Sequence, residues 1–370
     1  MSWNWQQADW PNFTWDAARL MPAEAAFAEG AGVLVGVARH LADPDRELLT
    51  IELMSTEAVD TSAIEGERLD RASVQSSIQR QLGLAADPRT AGPAELGMAE
   101  LMVTLYRTVG DPLDHDALLA WHRMIMRGRD LGVVGRYRTH LEAMQIVSGP
   151  PSSPRVHFEA PPSSRVCAEM DWFLAWFEVT RARGIRPLTA LSRAGLAHLW
   201  FESIHPFEDG NGRIGRAISE KALAQGPSSP VLTAIAGTLL RHRKDYHAAL
   251  EAGSRTLDAT AWLLWFADAV LEAQRRALGQ IEFVLHKAKL LDRVRGKLNP
   301  RQEKAVLRLF AAGPSGFIGG LSAGNHMSIT GAPPATATRD LAGLVLLGVL
   351  RRSGDRKAAR YQLNVPRPPS

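Results

Sequence analysis

The 370-residue chain has one cysteine, four tyrosines and no apolar run long enough to cross a membrane. With Cys167 alone there is no intramolecular disulfide and no cysteine-rich zinc site, and a reducing, cytoplasmic setting is expected. Only Arg165 and Glu169 stand near it as charged neighbours, so Cys167 is expected to be a buried small residue rather than a reactive thiol. The longest apolar run, Leu341 to Leu350, is about half a membrane span. The opening Met-Ser-Trp-Asn-Trp lacks the basic and apolar parts of an export leader, so neither export nor membrane insertion is expected. A net charge of +4 is too small over this length to imply nucleic-acid binding by itself. No internal repeat is visible. What is present is an ordinary globular composition, 45% apolar and 22% charged, long enough for two to three domains.

The charge is unevenly distributed. Residues 301–370 hold ten Lys/Arg against three Asp/Glu, a surplus of +7, which leaves −3 on the first 300 residues. Trp3, Trp5, Trp10 and Trp15 crowd the first fifteen residues and predict a segment pinned by aromatic burial, the alternative being an exposed partner-binding tail. Asp16 to about Gly83 reads as helical, with Leu48, Ile51, Leu53 and Met54 as its stripe. Pro88, Gly92 and Pro93 punctuate it, and a second helical stretch runs from Ala94 to Arg127. Gly132 to Pro162 is extended in character, with Val133, Val134, Tyr137, Ile146, Val147, Val156 and Phe158 around the turn Gly149-Pro150-Pro151-Ser152-Ser153-Pro154, which predicts a β-hairpin. Helices are expected at Ser164 to Arg183, Leu188 to Ser203, Gly212 to Gln225 and Asp258 to Leu298, with Trp262, Trp265 and Phe266 in the core. After Asn299-Pro300 the pattern is a helix to Ala312, a short helix near His326, a helix from Pro334 to Leu347, and a basic hairpin with Arg351, Arg352, Arg356, Lys357 and the strand Ala359 to Leu363. This is the order of a winged helix-turn-helix.

The chemistry is concentrated in His205-Pro206-Phe207-Glu208-Asp209-Gly210-Asn211-Gly212-Arg213-Ile214-Gly215-Arg216. An apolar helix ends at His205-Pro206 and a new one begins after Gly210-Asn211-Gly212. Two glycines around Asn211 let the backbone approach a ligand where amide N–H groups converge at the positive end of the helix dipole, a phosphate cradle. Arg213 and Arg216, three residues apart, can grip one polyphosphate. Asp209 offers the single carboxylate with which Mg²⁺ is usually held beside phosphates. His205, with an ordinary pKa of about 6.5, is mostly neutral at pH 7 and able to take a proton from a hydroxyl. A hydroxyl nucleophile with a Mg-bound nucleotide means phosphoryl or nucleotidyl transfer. The competing reading is a tight turn followed by two arginines on a solvated helix face.

These twelve residues resemble the signature of the Fic family, H-P-F-x-D-G-N-G-R-x-x-R, at every specified position. Gly135-Arg136-Tyr137-Arg138 with the hairpin is similar to the family's flap, and Tyr246-His247-Ala248-Ala249-Leu250 to the stretch near the nucleotide base. The Trp-rich start and the winged-helix end resemble a bacterial subgroup. The resemblance implies a protein adenylyltransferase that moves AMP from ATP to a Ser, Thr or Tyr hydroxyl of a target protein. It implies His205 as general base, Asp209 as Mg²⁺ ligand, Gly210, Asn211 and Gly212 as the anion cradle, Arg213 and Arg216 as phosphate clamps, and Tyr246 near the base. The target segment is expected to add as a strand near Met144 to Val147. Thr61-Ser62-Ala63-Ile64-Glu65-Gly66 fits the family's inhibitory pattern of Ser or Thr, three residues, Glu, then Gly or Asn. Glu65 is then expected to pair with Arg216 in place of the ATP γ-phosphate; the plainer reading is a helix-terminal Glu.

The implied fold is mainly α: an N-terminal helical region with the inhibitory helix (1–93), a Fic-type helical core with a β-hairpin flap (94–275), a connecting helix (276–300) and a winged-helix domain (301–370). His198 is expected to be a packed helix histidine, and His157, His242 and His247 show no metal-ligand spacing. Alternatives remain: the same site removing AMP with Glu65 orienting a water, transfer of another phosphate-containing group, or a DNA-binding regulator whose core senses nucleotide. DNA contacts through 334–357 are one reading of the basic surplus. Docking or homodimer support is preferred, because Leu341, Leu344, Val345 and Leu347 look committed to packing and leave few polar residues to read bases.

Overall fold

The computed structural model describes residues 2–40, 43–87, 90–129, 132–150, 153–226, 233–310, 317, 319–355 and 358–365, without the side chains of 37–40. Pro88, Pro151, Ser152, Ala312, Arg356 and Lys357, on which expectations fell, lie outside the described residues. Two compact units divide the chain, Met1–Arg39 with Thr50–Arg275, and His40–Leu49 with Arg276–Ser370.

In the first unit the helices are α1 (Ala17–His40), α2 (Asp43–Ile64, whose first turns belong to the other unit), α3 (Arg71–Gln81), α4 (Pro93–Arg107) and α5 (His115–Ile125). The stretch read as helical from Ala94 to Arg127 is therefore two helices. Gly110 and Pro112 break it, and Asp114 restarts it by accepting the Ala117 N–H at 2.8 Å as an N-cap. The hairpin pairs β1 (Gln145–Ser148) with β2 (Arg155–Glu159), antiparallel, with a bulge between Ile146 and Val147. Val133, Val134 and Tyr137 are outside it. Gly135 takes a left-handed φ of 69°, and the Arg138 N–H is given to the Pro206 carbonyl at 2.9 Å rather than to a strand. Helices α6 (Val166–Val179), α7 (Ala190–Ile204), α8 (Asn211–Ala224), α9 (Ala236–Arg241), α10 (Arg243–Gly253) and α11 (Thr260–Arg293, which belongs to the other unit from Arg276 onward) follow. The sequence reading missed α9 and α10 as elements.

The unit is organised around α7, which is buried on all sides from Leu191 to Phe201 and is therefore apolar on nearly every face. Gly195 lets α11 approach: a Cβ there would sit 2.6 Å from a Leu263 methyl, and the Gly195 carbonyl accepts the Trp262 indole N–H at 2.8 Å. The N-terminal tryptophans pack onto this core, so the exposed-tail alternative fails. Trp3 and Trp10 are buried, Asn4 donates to Ser203 Oγ at 2.8 Å, and Trp10 Nε1 donates to the buried Glu169 at 2.8 Å. Cys167 is exposed, contrary to expectation. At about 100° per residue, Val166 and Met170 claim the inner face of α6 and turn Cys167 outward.

The second unit holds α12 (Pro300–Phe310), α13 (Ala323–Thr330), α14 (Pro334–Leu346) and the antiparallel pair β3 (Leu350–Ser353) and β4 (Arg360–Leu363). Its core is Val306, Leu309, Leu341, Leu344, Val349 and Tyr361, while Arg351 and Arg352 are exposed on β3. Among the described residues no helix is long and apolar enough to cross a membrane.

Trp10→Ala removes a buried ring that touches Trp200 edge-on and deprives Glu169 of a hydrogen bond. A loss of about 3–5 kcal/mol in unfolding free energy is expected, measured by chemical denaturation; a loss under about 1 kcal/mol contradicts the pinned N-terminus.

Candidate active site

The motif forms the link between α7 and α8. His205 ends α7 in the left-handed conformation, φ 49°, with its N–H on the Phe201 carbonyl at 2.9 Å. Such a residue costs backbone strain unless its surroundings hold it. Arg138 does so: buried, it donates from Nε to the His205 carbonyl at 2.8 Å and from Nη2 to the Ile204 and Pro161 carbonyls at 3.2 and 2.6 Å. The Ile204 and His205 carbonyls are among those that a helix C-terminus leaves without partners. Phe207 then stacks on His122, ring centroids 4.2 Å apart.

Asn211 closes the loop. Its Oδ1 accepts the Phe207 N–H at 3.0 Å and its Nδ2 donates to the Phe207 carbonyl at 2.8 Å. Both polar ends are engaged, so Asn211 shapes the cradle through the backbone rather than reaching a ligand with its side chain. Gly210 is left-handed at φ 83°, and a Cβ there would lie 2.5 Å from Met126 Cε. At Gly212 a Cβ would overlap Glu65 Oε1. A carboxylate thus comes as close to the α8 N-terminus as only glycine permits, which is where an anion is favoured.

The two arginines are not on a solvated face; each side chain is 1% exposed. Arg216 is held by α2: Nη2 donates to Glu65 Oε1 at 2.7 Å and to the Thr61 carbonyl at 3.0 Å, and Nε to Thr61 Oγ1 at 2.7 Å. Burial alone would raise the Glu65 pKa, but the charge and hydrogen bond of Arg216 outweigh it and hold the carboxyl below its usual range. Arg213 donates to Glu67 Oε2 at 2.9 Å. Arg129 bridges that same Glu67 oxygen and Asp209 Oδ2, both at 2.9 Å. Asp209 remains half-exposed beside the cradle. Among the described residues no group of three His, Cys, Asp or Glu gathers as a metal cage. One accessible carboxylate beside two arginines nonetheless suits Mg²⁺ that shares its coordination with phosphates and waters.

His205 is buried, and burial followed by the Arg138 charge lowers its pKa to about 4. At neutral pH the ring is uncharged, more completely than an ordinary histidine. His198 is a packed histidine as expected, with Nε2 2.7 Å from the Tyr246 hydroxyl and Nδ1 3.1 Å from Ser219 Oγ. Tyr246 is itself buried, its hydroxyl facing His198 and its ring stacked on Trp265. A cavity of about 720 Å³ gathers Glu65, His205, Gly212, Arg216 and Tyr246 with residues of the hairpin and α10. Ser148, His157 and Glu251 tie those last two walls together: His157 lies 2.6 Å from Ser148 Oγ and 2.8 Å from Glu251 Oε2. A second cavity of about 400 Å³, lined by Phe27, Leu34 and Leu223 among others, has no residue of the 205–216 motif on its wall.

Residues 112–223 match the model of the Fic/DOC family. This segment, which holds the 205–216 motif, is thus similar to the Fic/DOC family. Residues 3–84, ahead of it, match a domain of unknown function, DUF4172, and include the Glu65 helix. A Fic family protein from Desulfovibrio desulfuricans is similar in fold, with a TM-score of 0.53 and 22% identity over 92% of this chain and 96% of that one. A Fic domain containing signaling protein from Bacteroides thetaiotaomicron gives 0.49 and 18% over 70% of this chain and 96% of that one. Fic-1 from C. elegans gives 0.48 and 19% over 71% and 74%. Fic domains commonly act as transferases that place AMP or other groups on proteins.

Of the residues singled out in the sequence, His205, Gly212, Arg216, Glu65 and Tyr246 border one cavity, while Asp209 and Arg213 form the adjoining charge cluster. Sequence reasoning missed Arg129, Arg138, Glu67, Glu202 and the Ser148–His157–Glu251 bridge. Only Arg138 carried a signal, as part of the Gly135–Arg138 run.

The Glu65 pair fixes a sign for pH dependence. A carboxyl whose folded pKa is lowered stabilises the fold above its unfolded value, about 4.3, and loses that contribution as pH falls through the folded value. The melting-temperature difference between wild type and Glu65→Gln is therefore expected to be largest near neutral pH and to shrink below about pH 4. A difference independent of pH in calorimetry contradicts the pairing.

Proposed function

We propose that this Fic domain transfers AMP from ATP to a side-chain hydroxyl of a target protein, with Mg²⁺ at Asp209, and that Glu65 inhibits it. The observation that carries this reading is the Glu65 carboxylate at the N-terminus of α8, bonded to a buried Arg216 and pressed against Gly212. It is an anion in an anion site, and a phosphate of ATP is the natural competitor. When Glu65 withdraws, Arg216 is released to hold phosphate oxygens beside Arg213, and the cavity wall of α10 receives the rest of the nucleotide. Mg²⁺, when bound, neutralises charge between phosphates.

A target segment pairs with the outer edge of β1, whose Ile146 and Val147 are exposed. Main-chain pairing sets its hydroxyl against His205. The hydroxyl oxygen bonds to the α-phosphorus, the bond to the β-phosphate breaks, pyrophosphate leaves, and the proton passes to the neutral imidazole. The second unit, three helices and a hairpin with Leu341 and Leu344 buried, is read as a winged helix serving docking or dimer support.

The test is protein-bound label from α-labelled ATP and Mg²⁺, together with intact mass, for wild type and Glu65→Gly. One charge-assisted bond is worth about 1.5–3 kcal/mol, so productive binding is expected to rise roughly 10- to 150-fold in the variant. Adding His205→Ala is expected to cost about 10²- to 10⁴-fold in transfer with ATP binding retained. Unchanged transfer by a Glu65→Gly protein that still binds Mg·ATP would falsify inhibition by this helix, and transfer within tenfold after His205→Ala removes the general-base role.

A further inference from the structure

A neutral imidazole is a base only at the nitrogen that lacks hydrogen, so a ring meant to accept a proton at Nε2 must carry its own at Nδ1. In His205 that Nδ1 is buried and without a hydrogen-bond partner. One turn earlier on α7, Glu202 brings Oε2 to 3.7 Å from it, and Glu202 Oε1 is also buried without a partner. An imidazole nitrogen without a partner and a carboxyl with one oxygen unsatisfied, buried side by side, are costly unless the two residues serve each other at some stage. Glu202 fits there because residue 215 is glycine. A Cβ at that position would lie 2.6 Å from Glu202 Oε1 and 3.2 Å from His198 Cε1. The motif leaves position 215 unspecified, yet this carboxyl requires it empty.

We propose that Glu202 is the positioning residue for His205, accepting the Nδ1 hydrogen and so presenting Nε2 to the incoming hydroxyl. This rests on the AMP-transfer reading for its purpose, but not for its geometry. Arg216 from α8, Glu65 from the end of α2 and Tyr246 from α10 are the charged or titratable groups facing Glu202. Arg138, Glu65 and Asp209 face His205, and the Glu202 main chain is a further hydrogen-bonding group beside the ring. Burial pushes the Glu202 carboxyl up to about 8, Arg216 opposing and Glu65 adding to the rise. Protonated, Glu202 donates to Nδ1 and leaves the ring hydrogen on Nε2, where it blocks proton acceptance. On losing that proton to solvent, Glu202 becomes an acceptor, the ring hydrogen settles on Nδ1, and Nε2 is free. The hydroxyl proton then has one destination.

The direct test is long-range ¹⁵N NMR of the histidine rings across pH, in full-length wild type, Glu65→Gly and Glu202→Gln, with His205→Asn assigning the resonance. His205 is expected to pass from the Nε2–H to the Nδ1–H form as pH rises above the range of an ordinary histidine. In Glu202→Gln, whose amide oxygen accepts at every pH, the Nδ1–H form is expected throughout. A His205 that holds one tautomer at all pH in wild type overturns the proposal, since the Glu202 main chain then orients the ring alone. So does a transition that survives Glu202→Gln with its midpoint unmoved. In the Glu65→Gly background, transfer is expected to rise with pH and the rise to flatten on Glu202→Gln. Glu202→Ala is expected to lower kcat about 10- to 100-fold, as losing a histidine's orienting partner typically does, with KM for ATP unchanged. No transfer by Glu65→Gly at any pH counts against the AMP-transfer reading, whereas the tautomer result judges Glu202 by itself.

Discussion

A buried guanidinium governs the arrangement of this site. Arg216 is 1% exposed and cannot be left there unpaired, because an uncompensated buried charge costs several kcal/mol. Three acceptors at and just past the end of α2, the Thr61 hydroxyl and carbonyl and the Glu65 carboxylate, satisfy it. The same need that makes Arg216 a good phosphate clamp therefore makes it a good anchor for a helix from outside the Fic-like segment. In the proposed reading, inhibition and phosphate binding would draw on this one cation, and only one partner can hold the position of Glu65 at a time.

A second constraint is the left-handed His205. Backbone strain at the end of α7 points the imidazole into the cavity, and Arg138 stabilises that conformation by collecting three carbonyls around it. The cluster of Glu67, Arg129, Asp209 and Arg213 does similar work on the opposite side of the cradle, sharing two cations among two carboxylates. Arg138, Arg129 and Glu67 thus hold the geometry of the site without being among the groups proposed to meet the nucleotide.

The parts legible in sequence are those whose geometry is local. Gly210, Asn211 and Gly212 declare a tight turn at a helix start, and Arg213 and Arg216 share a face because of helical spacing. Glu65 was legible through its six-residue pattern, and the N-terminal tryptophans through their density. Arg138 was passed over because its partners at 161, 204 and 205 lie far along the chain, where no period links them. Glu67 and Arg129 meet Arg213 from two other segments, again with nothing local to betray it. Cys167 was misplaced because its charged neighbours were weighed and the rotational phase of its helix was not.

The bridge from Ser148 through His157 to Glu251 joins the hairpin to α10, and all three residues border the cavity. One wall therefore faces two ways: inward to whatever fills the cavity, and outward, through the free edge of β1, to whatever pairs with it. Where binding on one side shifts that wall, the coupling to the other side runs both ways. By reciprocity the free energy is the same in both directions, so a chain that grips β1 more firmly when the cavity is full must also retain the cavity's contents more firmly while it is gripped.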